Sequence, residues 1–229
     1  MKEFSARADA AQKTAKPGLG ASDRQPRLRI DSVRQGASGT AIVAAGGSSY
    51  IFRPSQAEEL GLPAGSLIPG AELEETDADI LALAAEAYTV EKKAIALLVR
   101  AEQSAYMLGA KLETRGFSRK AVRVAVERLS TDGILSDRRY AEAYAASRLS
   151  RRAEGPASLL SSLRGRGIDG ETAVAAIAAV LGPGQRLAAL AKAAEKEMRR
   201  SGGDKDAARR RLRGLGFKSD EISEYFEEE

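Results

Sequence analysis

Cysteine, histidine, tryptophan and asparagine are all absent from the 229 residues of this chain. Without cysteine there is no disulfide framework, no thiolate metal site and no cysteine nucleophile. Without histidine there is no Ser-His-Asp triad, no imidazole zinc site and no histidine general base. Carboxylate, lysine or tyrosine chemistry stays formally open. Carboxylates do cluster, as in Glu72/Glu74/Glu75 and Glu227/Glu228/Glu229, but in loop or tail contexts where nothing gathers them around a pocket. The chain therefore reads as a non-enzyme with no metal and no cofactor. Aromatics are scarce, at 5%. No apolar run approaches the roughly 18 residues that span a membrane. The first residues, MKEFSARADAAQKTAK, lack the apolar stretch of a signal peptide, so a cytoplasmic protein is expected.

What is present is charge, unevenly placed. The net charge is +4 overall, but residues 1–91 carry −4 and residues 92–229 carry +8. No lysine or arginine occurs between Pro54 and Glu91. The basic excess lies in the second part, which points to a polyanion or an acidic protein surface as partner.

Residues 1–25 are small, polar and alanine-rich, and are expected to form a disordered tail. From Arg27 to Arg34 the residues alternate as in a half-buried strand. Thr40–Ala45 and Ser48–Phe52 follow as two short strands around the Gly46-Gly47 turn, giving a small β-meander. Residues 54–75 read as a short helix, Ser55–Leu60, and a loop marked by proline and glycine. From about residue 78 the periodicity is helical, with roughly nine helices expected.

The strongest internal signal is a repeat. Leu112-Glu-Thr-Arg115-Gly116-Phe117, Leu163-Arg-Gly-Arg166-Gly167-Ile168 and Leu212-Arg-Gly-Leu215-Gly216-Phe217 align without gaps, their leucines spaced 51 and 49 positions apart. A glycine just past a helix end adopts the left-handed conformation, and the next residue packs back on the helix. The expected pairs are Leu112 with Phe117, Leu163 with Ile168, and Leu212 with Phe217. Each cap leads into a new helix with apolar spacing: Val122, Val126 and Leu129; Val174, Ile177 and Leu181; Ile222, Tyr225 and Phe226. A longer helix precedes each cap. Ser136 is the expected N-cap of one, with Leu135 and Tyr140 placed as a hydrophobic staple, and Asp204 caps another after Ser201-Gly202-Gly203. The fold class is thus mainly α, a tandem array of three three-helix, helix-turn-helix-like repeats behind a small β-meander. The expected divisions are 1–25, 26–80, 81–132, 133–182 and 183–229.

Gly165-Arg-Gly167-Ile-Asp-Gly170 matches G-x-G-x-x-G, but the preceding residues are helical and Gly167 already ends a helix, so a nucleotide site is not expected. Arginine outnumbers lysine, 25 to 11. It clusters as Arg119/Lys120/Arg123, Arg148/Arg151/Arg152, Arg164/Arg166, Arg199/Arg200 and Arg209/Arg210/Arg211/Arg213. Many of these lie in last helical turns, where cations complement the helix dipole. As a set they suit phosphate contact or acidic surfaces. Tyr140 and Tyr144, four apart on one helix, suit core packing, with base stacking as the alternative.

With the repeat and the run Asp137-Arg-Arg139-Tyr140-Ala141-Glu-Ala-Tyr144-Ala-Ala-Ser147-Arg148 in view, the chain resembles the RecX family of RecA modulators. Gly155 followed by Leu163-Arg-Gly-Arg166-Gly167-Ile168 fits as well, as does Arg100-Ala-Glu-Gln-Ser104 leading into the Leu112 cap. The resemblance covers about residues 85–227 and extends weakly over 27–80. Two positions depart from the pattern: Tyr144 stands where a phenylalanine is usual, and Leu215 where the first two repeats are basic. The resemblance implies a protein that binds the RecA filament on single-stranded DNA. It would inhibit filament growth, ATPase and recombinase and coprotease activity, and act in DNA repair, recombination and the SOS response. It implies a cytoplasmic monomer with weak direct DNA binding. Arg148, Arg151, Arg152, Arg164, Arg166, Arg209, Arg210 and Arg213 are the expected contacts to RecA or DNA. Asp137, Tyr140, Ala141, Tyr144, Gly116, Gly167 and Gly216 are expected to be mainly structural. The alternative is a direct DNA-binding module of helix-turn-helix type, and more remotely a carboxylate- and Mg²⁺-dependent nuclease.

Overall fold

The computed structural model describes residues 27–227. The tail expected over residues 1–25 lies outside the described residues. Strand β1 (Leu28–Gln35) is followed by β2 (Ala41–Ala45), β3 (Ser48–Phe52), helix α1 (Pro54–Glu59) and β4 (Glu72–Leu73). Nine further helices complete the described chain: α2 (Glu75–Leu98), α3 (Ala105–Glu113), α4 (Arg119–Thr131), α5 (Asp137–Arg152), α6 (Pro156–Arg164), α7 (Gly170–Val180), α8 (Pro183–Arg200), α9 (Lys205–Gly214) and α10 (Ser219–Glu227). No single helix among the described residues is long and apolar enough to cross a membrane.

The sheet is antiparallel, in the order β3-β2-β1-β4. The expected meander of three strands gains a fourth, in which Leu73 pairs with Leu28. Strand β1 departs from simple alternation. Ile30 lies opposite Ala45 and Val33 opposite Val43, so Asp31 is the extra residue of a bulge. The bulge brings two residues three apart to the core side, which a period of two cannot do. Ile30, Val43, Phe52 and Leu73 are buried against Leu62, Leu81 and Ala84. The sheet core thus borrows the first turns of α2. The rest of that helix, from Ala87 to Leu97, packs with α3 and α4, so α2 runs across residue 80.

The helices group as α2-α3-α4, α5-α6-α7 and α8-α9-α10, each around its own buried cluster. The three caps form as their six-residue pattern dictates. Phe117, Ile168 and Phe217 donate their N–H groups to the carbonyls of Leu112, Leu163 and Leu212, at 3.4, 3.2 and 3.2 Å. Gly116, Gly167 and Gly216 have φ of 90°, 79° and 88°, as the ending requires. Ser136 and Asp204 cap α5 and α9.

Two expectations change. Val174 is 55% exposed, so α7 buries Ala173 and Ala176 in its place, beside the expected Ile177. Leu135 lies in the first helical core while Tyr140 packs on the second, so the residues drawn as a staple serve different repeats.

A buried carboxylate ties the β region to the first repeat. Glu91 of α2 is 2% exposed. It accepts from Arg53, just before α1, at 2.6 Å, and lies 3.9 Å from Arg128 of α4. That hydrogen bond raises the pKa of Arg53 above its ordinary value.

Candidate functional site

The second repeat carries the densest set of the residues singled out from sequence. Ser136 starts α5 by accepting the Arg139 N–H at 3.2 Å. Asp137 does not serve its own helix alone. Its Oδ1 accepts the Ala105 N–H at 2.7 Å, capping the start of α3 in the preceding repeat. Ala141 is fully buried, where a larger side chain would not fit. Tyr140 and Tyr144 stack with ring centres 6.2 Å apart, and the Tyr140 hydroxyl reaches Met107 Sδ at 3.5 Å.

Tyr144 gathers two of the expected contact arginines. The guanidinium carbon of Arg166 lies 4.3 Å from the centre of its ring, and that of Arg148 lies 5.6 Å from it. Both are in cation–π range. Arg148 is also 3.1 Å from Glu154, a carboxylate in the α5–α6 loop that is 6% exposed. Arg166 donates to Ser162 O at 2.8 Å. These two arginines are thus engaged within the chain. Their physical work here is to hold a tyrosine and a buried carboxylate.

The remaining expected contacts divide. Arg151 and Arg152 are exposed in the last turn of α5 and have no hydrogen-bond or ion-pair partner among the described residues. Arg164 is exposed at the end of α6, with its guanidinium beside Gly170 at the start of α7. Arg209 is occupied by Asp206 at 3.7 Å and lies over the ring of Phe226 at 5.3 Å. Arg210 and Arg213 are exposed on α9, while Arg211 between them reaches Glu197 at 3.5 Å. Arg210 helps hold Asp204 below the usual carboxylate range, after the N–H groups of Ala207 and Asp206. Five of the eight expected arginines, Arg151, Arg152, Arg164, Arg210 and Arg213, therefore present guanidinium groups to solvent.

Sequence reading missed the residues around the joint between the first two repeats. Tyr106 is 64% exposed and Met107 41% exposed, beside Tyr140. Ser104 is fully buried, accepts the Met107 N–H and donates to Arg166 O at 2.7 Å. Glu154 was also missed. It is placed by Ala153, a left-handed residue (φ 49°) that turns the chain back toward Arg148. Nothing local in the sequence marks Ala153 as left-handed, since alanine disfavours that conformation.

Residues 136–177 match a family described as RecX, second three-helix domain. Regulatory protein RecX of Treponema pallidum (strain Nichols) is 38% identical over 85 residues, which are 37% of this chain and 52% of that protein. Regulatory protein RecX of Xanthomonas campestris pv. campestris (strain B100) is 37% identical over 90 residues, 39% of this chain and 55% of that protein. The matched part of this chain spans about half the length of these relatives. Among solved structures, a crystal structure of regulatory protein RecX superposes with a TM-score of 0.68 at 19% identity, over 88% of this chain and all of that one. RecX from Lactobacillus salivarius gives 0.56 at 19% identity, over 62% of this chain and 96% of its own. At that identity the likeness speaks for the fold: a mainly helical chain with a small sheet ahead of the repeats.

Proposed function

We propose that the chain is a member of the RecX family, a reading that its matches to the RecX second three-helix domain and to regulatory RecX proteins support, and that it binds the RecA filament on single-stranded DNA and restrains it. It acts by binding and not by catalysis, in the cytoplasm. The observation that carries the reading is the second repeat. The segment that matches the family is the one whose first helix ends in two exposed, unpaired arginines. Guanidinium groups fork onto phosphates and carboxylates alike, so they suit DNA backbone and an acidic protein surface equally. Arg164, Arg210 and Arg213 extend the same capacity along the array. Bound along a filament, such an array hinders subunit addition and the subunit motion that accompanies ATP turnover.

The test is RecA ATP hydrolysis on single-stranded DNA with the protein titrated in. Inhibition below one protein per RecA supports the reading. The double variant Arg151→Ala/Arg152→Ala keeps its circular dichroism and needs about tenfold more protein for the same inhibition. No effect of the unmodified protein at excess sinks the reading. The weight then moves to direct DNA binding, judged by its salt dependence on bare duplex.

A further inference from the structure

Strand β3 is an edge of the sheet, and its register shows what that edge offers. Gly46 and Gly47 have φ of 55° and 77°, so the β2–β3 turn is the two-residue kind whose flanking residues, Ala45 and Ser48, pair by hydrogen bonds. Bonded pairs alternate along an antiparallel ladder. The next ones are Val43 with Tyr50 and Ala41 with Phe52. Ser49 and Ile51 therefore turn their N–H and C=O groups away from β2. Both residues are exposed, and among the described residues neither makes a backbone hydrogen bond outside the sheet. Edges are commonly blocked by proline, by lysine or by a bulge. Ser48–Phe52 contains none of these, and its pairing with β2 is regular.

A groove runs beside this edge. One cleft, of about 340 Å³, is lined by Tyr50 and Ile51 of β3, Ala82 and Ala85 of α2, and Phe117 of the first cap. A second, of about 430 Å³, shares Ala82 and Glu86 with it and adds Ile80 and Leu83. Tyr50 and Phe52 lie on the face of the sheet that packs on α2, because they share a parity with the buried Val43. Alternate side chains of a strand added beside β3 point the same way, into these clefts. The charge around the groove is acidic. Asp79 and Glu86 line it, and Lys120 is the one cation among its described lining residues. Glu86 is held in place by the Ser118 N–H and hydroxyl, each at 2.7 Å.

We propose that β3 and this groove receive an extended peptide of a partner protein as a fifth strand, with apolar side chains at alternate positions and a lysine or arginine toward Asp79 and Glu86. Outward main-chain groups on every second residue recognise another strand. The carboxylates repel nucleic acid and favour a basic peptide. A second copy paired edge to edge would bring two such acidic α2 segments together, which disfavours it as the occupant.

The inference stands apart from the RecA reading and is tested without RecA. The full chain is used to select binders from a phage-displayed library of random peptides, and the enriched peptides are titrated by fluorescence polarisation. The expected binders alternate apolar residues, carry lysine or arginine, and slow amide exchange at Ser49 and Ile51. Ile51→Pro removes an outward N–H and leaves the ladder to β2 intact. It should weaken binding about tenfold or more. Ala82→Arg, at an exposed helical position, obstructs the groove and repels a basic peptide, and should weaken binding as much. Circular dichroism verifies the fold of both variants, and if Ile51→Pro is misfolded Ala82→Arg decides. Failure to enrich any peptide overturns the proposal, as does binding that the folded variants leave unchanged. Amides of Ser49 and Ile51 already protected in the free protein also overturn it, because the chain itself or a second copy then fills the edge.

Discussion

Between the first and second repeats the joint is made largely by side chains, and between the second and third it is made by backbone. The first uses the Ser104 hydroxyl, the Asp137 carboxylate on the Ala105 N–H, and a pair between Arg139 and Glu102 at 3.0 Å. The second uses the N–H groups of Gly155 and Ala157, and holds the loop that presents them by a left-handed Ala153 and the Arg148–Glu154 pair. A side-chain joint has its ion pair at the exposed rim, where solvent weakens it. Both joints are close enough to need their cap glycine, but in the backbone joint Gly155 is needed as well, because a Cβ there meets main chain. The two joints therefore fail differently when perturbed.

The largest expected effect is at Gly155. A Cβ there would lie 2.3 Å from Gly216 C, and main chain on both sides cannot yield as a side-chain tip would. Gly155→Ala is expected to cost about 3 kcal/mol and to free the third repeat first. Urea unfolding with limited proteolysis checks both parts. Gly116→Ala is the contrasting case. Gly155 is extended (φ −78°) and its cost comes from the clash alone, whereas Gly116 is left-handed (φ 90°) with no close neighbour, and is expected to cost only about 1 kcal/mol from that strain. Equal losses at the two positions would remove the distinction between them.

Arg148→Ala comes next. It leaves Glu154 buried without its partner, at an expected cost of about 2–3 kcal/mol, less than for a fully buried pair because Arg148 is partly exposed. Adding Glu154→Gln should recover part of the loss in a double-mutant cycle, since the uncompensated charge is then gone. Ser104→Ala removes one cap and one joint hydrogen bond from the side-chain joint, for about 1–2 kcal/mol in thermal unfolding. A loss as large as that of Gly155→Ala would show the first joint to be the tighter one.

The smallest effect separates the helix starts by pH. Asp169 is held below the usual carboxylate range by hydrogen bonds from Thr172, side chain first, and Asp204 by those from Ala207 and Asp206. A depressed carboxylate contributes stability above its unfolded pKa and loses it as pH falls through the folded value. Acid should therefore loosen the starts of α7 and α9. The starts of α3, α4 and α5 carry serine caps and should lose less there. Amide exchange at Thr172 and Ala207, compared with Met107 and Ala121 across mildly to strongly acidic pH, reads the difference.

Much of the fold is legible from residues a few positions apart. The three caps are complete within six residues each, so leucine, glycine and the apolar residue after it announce their own geometry. The N-caps at Ser136 and Asp204 are equally local. Strand β4 is not legible, because it is two residues long and exists only through β1, more than forty positions earlier. The site divides along the same line. The arginine clusters stand out in the sequence, yet Arg148 and Arg166 turn inward to Tyr144 while Arg151 and Arg152 stay free. Spacing on a helix gives the face a side chain starts from. It does not say which neighbours arrive there from another helix.

The sequence by itself determined the period, the breaks and the caps of the helical array, because each is a matter of local backbone chemistry. It also fixed the basic excess of the second part and the absence of imidazole and thiol chemistry. The tertiary structure decided which repeats meet and how. It set Asp137 on the helix before its own, aimed Gly155 and Gly216 at one another, and left some arginines free while it paired others. The joints depend on residues about thirty to sixty positions apart that folding brings to a few ångströms, and the paired arginines on where Tyr144 and the left-handed turn before Glu154 come to lie.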